Sequence, residues 1–140
     1  MYRRRFQRFA ALLFIALLSA CVGSFNEPFA PELGRRYLLT EDLVQTSRGL
    51  LLPGLFQNAH KVPYVMTQEQ FRLLRSFKFP FPDNGKVVRG SRVRVEQMFV
   101  YDDLNGTTRH GKLLVNTSAG ELFTAYCDWD YVEPKLKELD

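Results

Sequence analysis

Two histidines, His60 and His110, and two short acidic groupings, Asp102-Asp103 and Asp128-x-Asp130, are the side chains of this chain best equipped to move protons or hold cations. Neither histidine stands at ligand spacing from a second His, a Cys or a carboxylate pair, and zinc needs three or four such ligands, so no metal is expected. The acidic groupings lack the loop of a calcium-binding hand and read as turn and surface acids. Ser91 or Ser118 with His110 would make a nucleophile and base, and Asp128, Asp130 or His110 would serve a small hydrolase. No G-x-S-x-G accompanies them, and nothing in the spacing links the pairs. Gly85-Lys86 and Gly90-Ser91 stand without the flanking glycines of a phosphate loop. No cofactor is implied, and the expectation is a protein that binds rather than one that catalyses.

The remaining reactive side chains are the two cysteines, and the first of them closes an unusual segment. Four arginines, Arg3, Arg4, Arg5 and Arg8, precede an uncharged run from Phe9 to Ala20. A basic start followed by about 7–15 apolar residues and small residues at the end is the layout of an export signal. Crossing a bilayer as a helix takes about 20 apolar residues, more than this run supplies. Its end, Leu18-Ser19-Ala20-Cys21, resembles the lipobox of bacterial lipoproteins. That resemblance implies cleavage between Ala20 and Cys21, a diacylglycerol on the Cys21 sulfur and a third acyl chain on the new amino group. One chain gives marginal membrane binding, about 10⁴ M⁻¹, whereas three would hold the protein without help from its domain. Position 22 is Val rather than the Asp that retains such proteins at the inner membrane. The implied address is the inner leaflet of the outer membrane, facing the periplasm, with the periplasmic side of the inner membrane as the alternative.

Removing the signal changes the charge argument. The chain carries 19 basic and 15 acidic side chains, net +4, and the four signal arginines account for that whole excess. Nucleic acid is therefore not an expected partner. The rest is unevenly placed: Lys61 to Arg94 is rich in bases and Val95 to Asp140 in acids. Such a split either neutralises itself in the fold or presents a basic face to an anionic partner, for which Arg89, Arg92 and Arg94 are the candidate contact residues.

These residues need elements to position them. Residues 21–33, with Pro28 and Pro31 and no clean period, read as the lipidated N-terminus and a flexible tether. Residues 34–133 read as one α+β domain and 134–140 as a polar tail. Arg36 to Leu39 reads as a strand followed by an irregular loop. Thr67-Gln68-Glu69-Gln70 is a capping-box pattern, with Met66 and Phe71 placed as a hydrophobic staple, and predicts a short amphipathic helix from Gln68 to about Ser76. Phe77-Lys78-Phe79-Pro80-Phe81-Pro82 reads as an extended segment covering one end of the core. Period-two alternation over Ser91–Tyr101, then Lys112–Thr117 and Glu121–Val132, predicts a three-strand antiparallel meander. In that register Val93, Val95 and Phe99 share a face, Arg92 and Arg94 point outward, and Cys127 enters the aromatic core as an inert thiol. The expected fold is thus a small antiparallel sheet with one or two short helices.

Met66-Thr67-Gln68-Glu69-Gln70-Phe71, together with a meander that turns at Ser118-Ala119-Gly120-Glu121-Leu122, resembles the small lipoprotein of the outer-membrane β-barrel assembly machine. The resemblance implies helices packed on a three-stranded sheet. The functional expectation is a membrane-anchored structural or adaptor module that binds an envelope protein. An inhibitor or immunity protein against a periplasmic hydrolase or toxin, and a small envelope hydrolase, are the alternatives.

Overall fold

The computed structural model describes residues 23–50, 60–77, 82–103 and 106–140. The lipobox, with Ala20 and Cys21, lies outside them, as does the Lys78–Phe81 part of the expected extended segment. In chain order the elements are β1 (Gly23–Asn26), β2 (Arg36–Leu39), β3 (Leu43–Leu50), β4 (His60–Met66), α1 (Gln68–Arg75), β5 (Gly85–Val87), β6 (Arg92–Asp103), β7 (Gly106–Asn116), β8 (Leu122–Asp128), α2 (Trp129–Val132), a 3₁₀ turn (Glu133–Lys135) and β9 (Leu136–Glu138). Among the described residues the nine strands form one sheet in the order β5-β3-β4-β8-β7-β6-β2-β9, with β1 also paired to β6. The sheet curls into a half-barrel. The expected small α+β sheet is therefore corrected: β6, β7 and β8 are the middle of a much larger, mostly β structure, and α1 is a single short helix on it.

The reason lies in how the chain fills the two faces. Inward residues of successive strands, among them Leu39, Leu43, Val65, Val93, Val95, Leu113, Val115, Ala125 and Cys127, share one buried cluster with Trp129 and Val132 from α2. The residues that alternate with them, Val44, Tyr64 and Met66, form a second cluster with Phe71, against which Leu74 and Tyr126 pack. By that alternation α1 lies on the outer face of β3, β4 and β8. Strands apolar on both faces lose the inside–outside alternation by which strands are recognised, so β3 and β4 do not announce themselves. Pro63 argues further against a central strand, yet β4 meets β8 through a single residue pair, Tyr64 opposite Tyr126.

The helix forms where its cap dictates. Thr67 Oγ1 accepts a hydrogen bond from the Gln70 amide at 3.1 Å, and Met66 and Phe71 share the outer cluster. Gln70 Oε1, which would complete the capping box, has no partner among the described residues.

Two features set where β6 points its side chains. The register slips between Val95 and Gln97, a bulge at Glu96. An inserted residue reverses the face reached by everything after it. Val93 and Val95 therefore point inward, Met98 also points inward, and Phe99 turns to the outer face, where it stacks on His110 and meets Tyr126 edge-on. The expectation that Phe99 shares a face with Val95 is overturned by this bulge. Across from Met98 stands Gly111, where a Cβ would lie 3.3 Å from Met98 Sδ and 3.4 Å from the Trp129 ring, a tight fit that these side chains would have to yield to.

Both chain ends also supply strands to the sheet. β1 pairs with β6 from Gly23 opposite Asp102 to Asn26 opposite Phe99. Ala30 and Leu33 then pack on the inner cluster of the half-barrel. Glu27 and Glu32 reach Arg109 of β7, whose guanidinium lies 2.8 Å from a carboxylate oxygen of each. That guanidinium holds Glu32 below the ordinary carboxylate range. At the other end β9 pairs with β2, Leu136 opposite Leu39, and Leu136 packs on the inner cluster.

Candidate functional site

The outward face of β9, β2 and β6 gathers base after base. With Tyr37, Leu39, Val93 and Val95 turned inward, Arg36, Leu38, Arg92 and Arg94 must turn outward, and all three arginines are exposed. The register sets Arg36 directly opposite Arg94, Leu38 opposite Arg92, and exposed Lys137 of β9 opposite Leu38. Arg94 donates through Nε and Nη2 to Glu96 Oε1, at 3.0 and 2.7 Å. With both side chains substantially exposed that pair is worth about 0–1 kcal/mol. Arg36, Arg92 and Lys137 have no ion-pair partner among the described residues. Like charges placed opposite each other in a sheet are destabilising. The face thus sets like charges opposite each other, with Glu96 their one ion-pair partner among the described residues.

Of the three arginines expected to form one contact face, Arg92 and Arg94 share it. Arg89 is set apart in the turn between β5 and β6, where its amide donates to Asp42 Oδ1 at 2.8 Å. Its side chain lines a cleft of about 370 Å³ with Glu41, Asp42, Glu69, Arg72 and Lys135, where acids and bases alternate. Arg36 and Lys137 take its place on the face. Sequence reading passes over Arg36 because a four-residue strand shows too little alternation, and over Lys137 because it lies in the segment read as a tail.

A second constellation assembles on the outer face. His110 of β7 stands opposite Asp128 of β8. Each is buried, and His110 Nδ1 and Asp128 Oδ1 have no partner among the described residues. On its other side His110 Nε2 lies 3.2 Å from Thr108 Oγ1. Burial, assisted by Arg48, lowers the His110 pKa, and burial, assisted by Asp130, raises that of Asp128. Both shifts favour the uncharged forms. Arg48 sits 5.2 Å from the centre of the Tyr64 ring, and the Tyr64 hydroxyl is also buried without a partner.

The other candidates do not join it. Asp130 is exposed on α2, near enough for its charge to act on both His110 and Asp128 but not itself buried with them. Ser91 is buried and donates to the Val88 carbonyl at 2.7 Å. Ser118 is exposed in the β7–β8 turn, beyond Asn116, and six residues of strand, about 20 Å, separate Asn116 from His110. Asp102 accepts from Thr107 at 2.6 Å at the β6–β7 turn, and His60 opens β4. Cys127 is fully buried and in no disulfide among the described residues, its thiol pKa pushed up by that burial. Among the described residues no group of three or more His, Cys, Asp or Glu side chains is placed to hold a metal ion.

No protein-family model matches this chain, and neither a curated protein nor a solved structure does.

Proposed function

We propose that the protein is a lipid-anchored, periplasm-facing envelope lipoprotein that acts without catalysis, as an adaptor whose basic β9-β2-β6 face binds an acidic envelope protein. One observation carries the reading: Arg36 lies opposite Arg94, with Arg92 and Lys137 beside them, and among the described residues a single carboxylate, Glu96, pairs with any of the four. A local arrangement that opposes the stability of its own sheet is expected where a partner uses it. Leu38 between the bases, and exposed Leu122 beyond Asn116, give the face the mixed basic and apolar character of protein interfaces. The test is site-specific photocrosslinking from position 38 in intact envelopes. One discrete adduct is expected, weakened by salt and lost in the Arg36→Glu/Arg94→Glu double variant, while Glu121→Lys leaves it unchanged. An adduct indifferent to the double variant contradicts the assignment of the face.

A second reading, a small hydrolase, is favoured by Thr108, His110 and Asp128, in which a hydroxyl lies 3.2 Å from an imidazole and a carboxyl stands opposite it in the ladder, with no hydrogen bond yet joining the last two. Thr108 would be the nucleophile, His110 its base and Asp128 the group that orients the ring. Turnover of a p-nitrophenyl ester that disappears in both Thr108→Val and His110→Gln would favour it. Turnover that survives either change removes it.

A further inference from the structure

The lipid anchor, if Cys21 carries one, leaves the domain almost no slack. Gly23 is already paired to Asp102 at the end of β6, and two residues of chain, about 7 Å, separate it from Cys21. From there β1, the segment carrying Ala30 and Leu33, and β2 all follow β6 back towards Arg92. The two bonds of the Glu27 carboxylate and the two of Glu32 to Arg109 fix that segment to β7. A freely turning tether is replaced by a rigid attachment.

Beside the attachment stand two large apolar side chains that no described residue covers. Phe25 of β1 is 55% exposed and Phe29, in the turn that follows, is 95% exposed. Phe25 lies opposite Val100, which shares the inner face with Met98, and Phe29 follows Glu27, which is held by Arg109. Phe25 therefore belongs to the inner side of the half-barrel at the anchor end, and Phe29 follows further along β6, past the level where the Glu27 amide bonds the Met98 carbonyl. The basic residues lie on the outer side further along β6: Arg94 is eight residues from Asp102, about 26 Å, and four from Met98, about 13 Å. Even the shorter distance exceeds the Debye length of about 8 Å at physiological salt, and Arg94 faces the other side of the sheet, so the headgroup charge of the anchoring bilayer is weakened there.

Resting on the lipoprotein reading above, we infer that Phe25 and Phe29 form a membrane-contact surface. With the lipid they set the domain on its own bilayer in one orientation, turning the basic face to the aqueous space. Aromatic side chains beside an anchored end bury their rings in the interfacial region, and each adds to the hold of the acyl chains. Lipid is the occupant because the acylated residue lies only four positions before Phe25 in the chain.

The experiment uses the full acylated chain on phosphatidylcholine vesicles containing brominated lipid, with Phe29→Trp as the depth probe and a fluorophore on Asn116→Cys as the distal probe. Trp129 is fully buried and serves as the internal standard. Expected are flotation with the vesicles, strong quenching of the tryptophan at 29 and none of the label at 116, with or without added phosphatidylglycerol. Phe25→Ser should leave flotation intact while at least halving the quenching at 29. Flotation without quenching at 29, or equal quenching at both positions, overturns the contact surface and leaves the anchor standing. Failure of the acylated chain to float, or absence of acylation, overturns the lipoprotein reading and the inference with it. Quenching at 116 that appears only with phosphatidylglycerol makes the basic face the lipid-binding one and overturns the orientation.

Discussion

Replacing Arg109 by Leu should detach the N-terminal segment from the sheet. The guanidinium donates Nε and Nη2 to Glu27 Oε2 at 3.0 and 2.8 Å, and Nη1 and Nη2 to Glu32 at 2.8 and 3.1 Å. The three side chains are 28%, 31% and 14% exposed, between a surface pair and a buried one. A surface pair is worth about 0–1 kcal/mol, and breaking a buried one costs roughly 3–5 kcal/mol because the surviving charges are stranded. Here two carboxylates would be left facing each other, and a loss of roughly 2–4 kcal/mol follows, which lowers Tm by about 10 °C in a domain of this size. The pH dependence carries a second signature. Glu32 has its folded pKa depressed below 4.5, so its contribution is present above that value and is lost as pH falls through the depressed one. In the variant that acid loss should shrink or reverse. Thermal unfolding from pH 3 to 7, with hydrogen exchange at the Glu27 and Gly34 amides that bond Met98 and Val95, reads both effects. A variant that melts within a degree of the parent, with those amides still protected, would refute the role given to this cluster.

Three further outcomes follow from packing and burial. Cys127 should resist a thiol reagent at pH 8 for hours and react fully in urea, since it is completely buried; labelling of the native protein within minutes would contradict its place in the core. Gly111→Ala should cost about 1–2 kcal/mol by overpacking against Met98 and Trp129, read as a lower urea midpoint, and an unchanged midpoint would contradict that contact. Asp128→Asn should leave Tm at pH 7 unchanged or higher. The raised folded pKa of Asp128 means that its carboxyl favours the fold most below 3.8 and progressively less as pH rises through the folded value. A fall of several degrees at pH 7 would show instead that the carboxylate form is needed.

What could be read in advance was what is encoded locally. Thr67 caps α1 through its own side chain, and the outward alternation of Arg92 and Arg94 depends on residues immediately around them. What could not be read depends on partners distant in the chain. β3 and β4 are covered on both faces, by the inner core and by α1, so their apolar residues show no period. A one-residue bulge at Glu96 reverses the faces of Met98 and Phe99, and strict alternation has no means of anticipating it. Residues 23–35 look like a linker because their prolines and glycines are real turn formers, yet their glutamates are matched to an arginine 77 residues or more away. His110 and Asp128 were both visible as reactive groups. Their pairing became visible only with the register of β7 against β8, because β7 begins at Gly106, well before the segment read as its strand.

The proposed lipid at Cys21 underlies both the proposed address and the orientation on the membrane. The most direct test is the intact mass of the full-length gene product, purified from the envelope of a bacterial host that has an outer membrane. The account predicts a chain beginning at Cys21 and carrying a diacylglycerol and a third acyl chain. A mass corresponding to a chain that retains Met1, or to one with an unmodified Cys21, would contradict it.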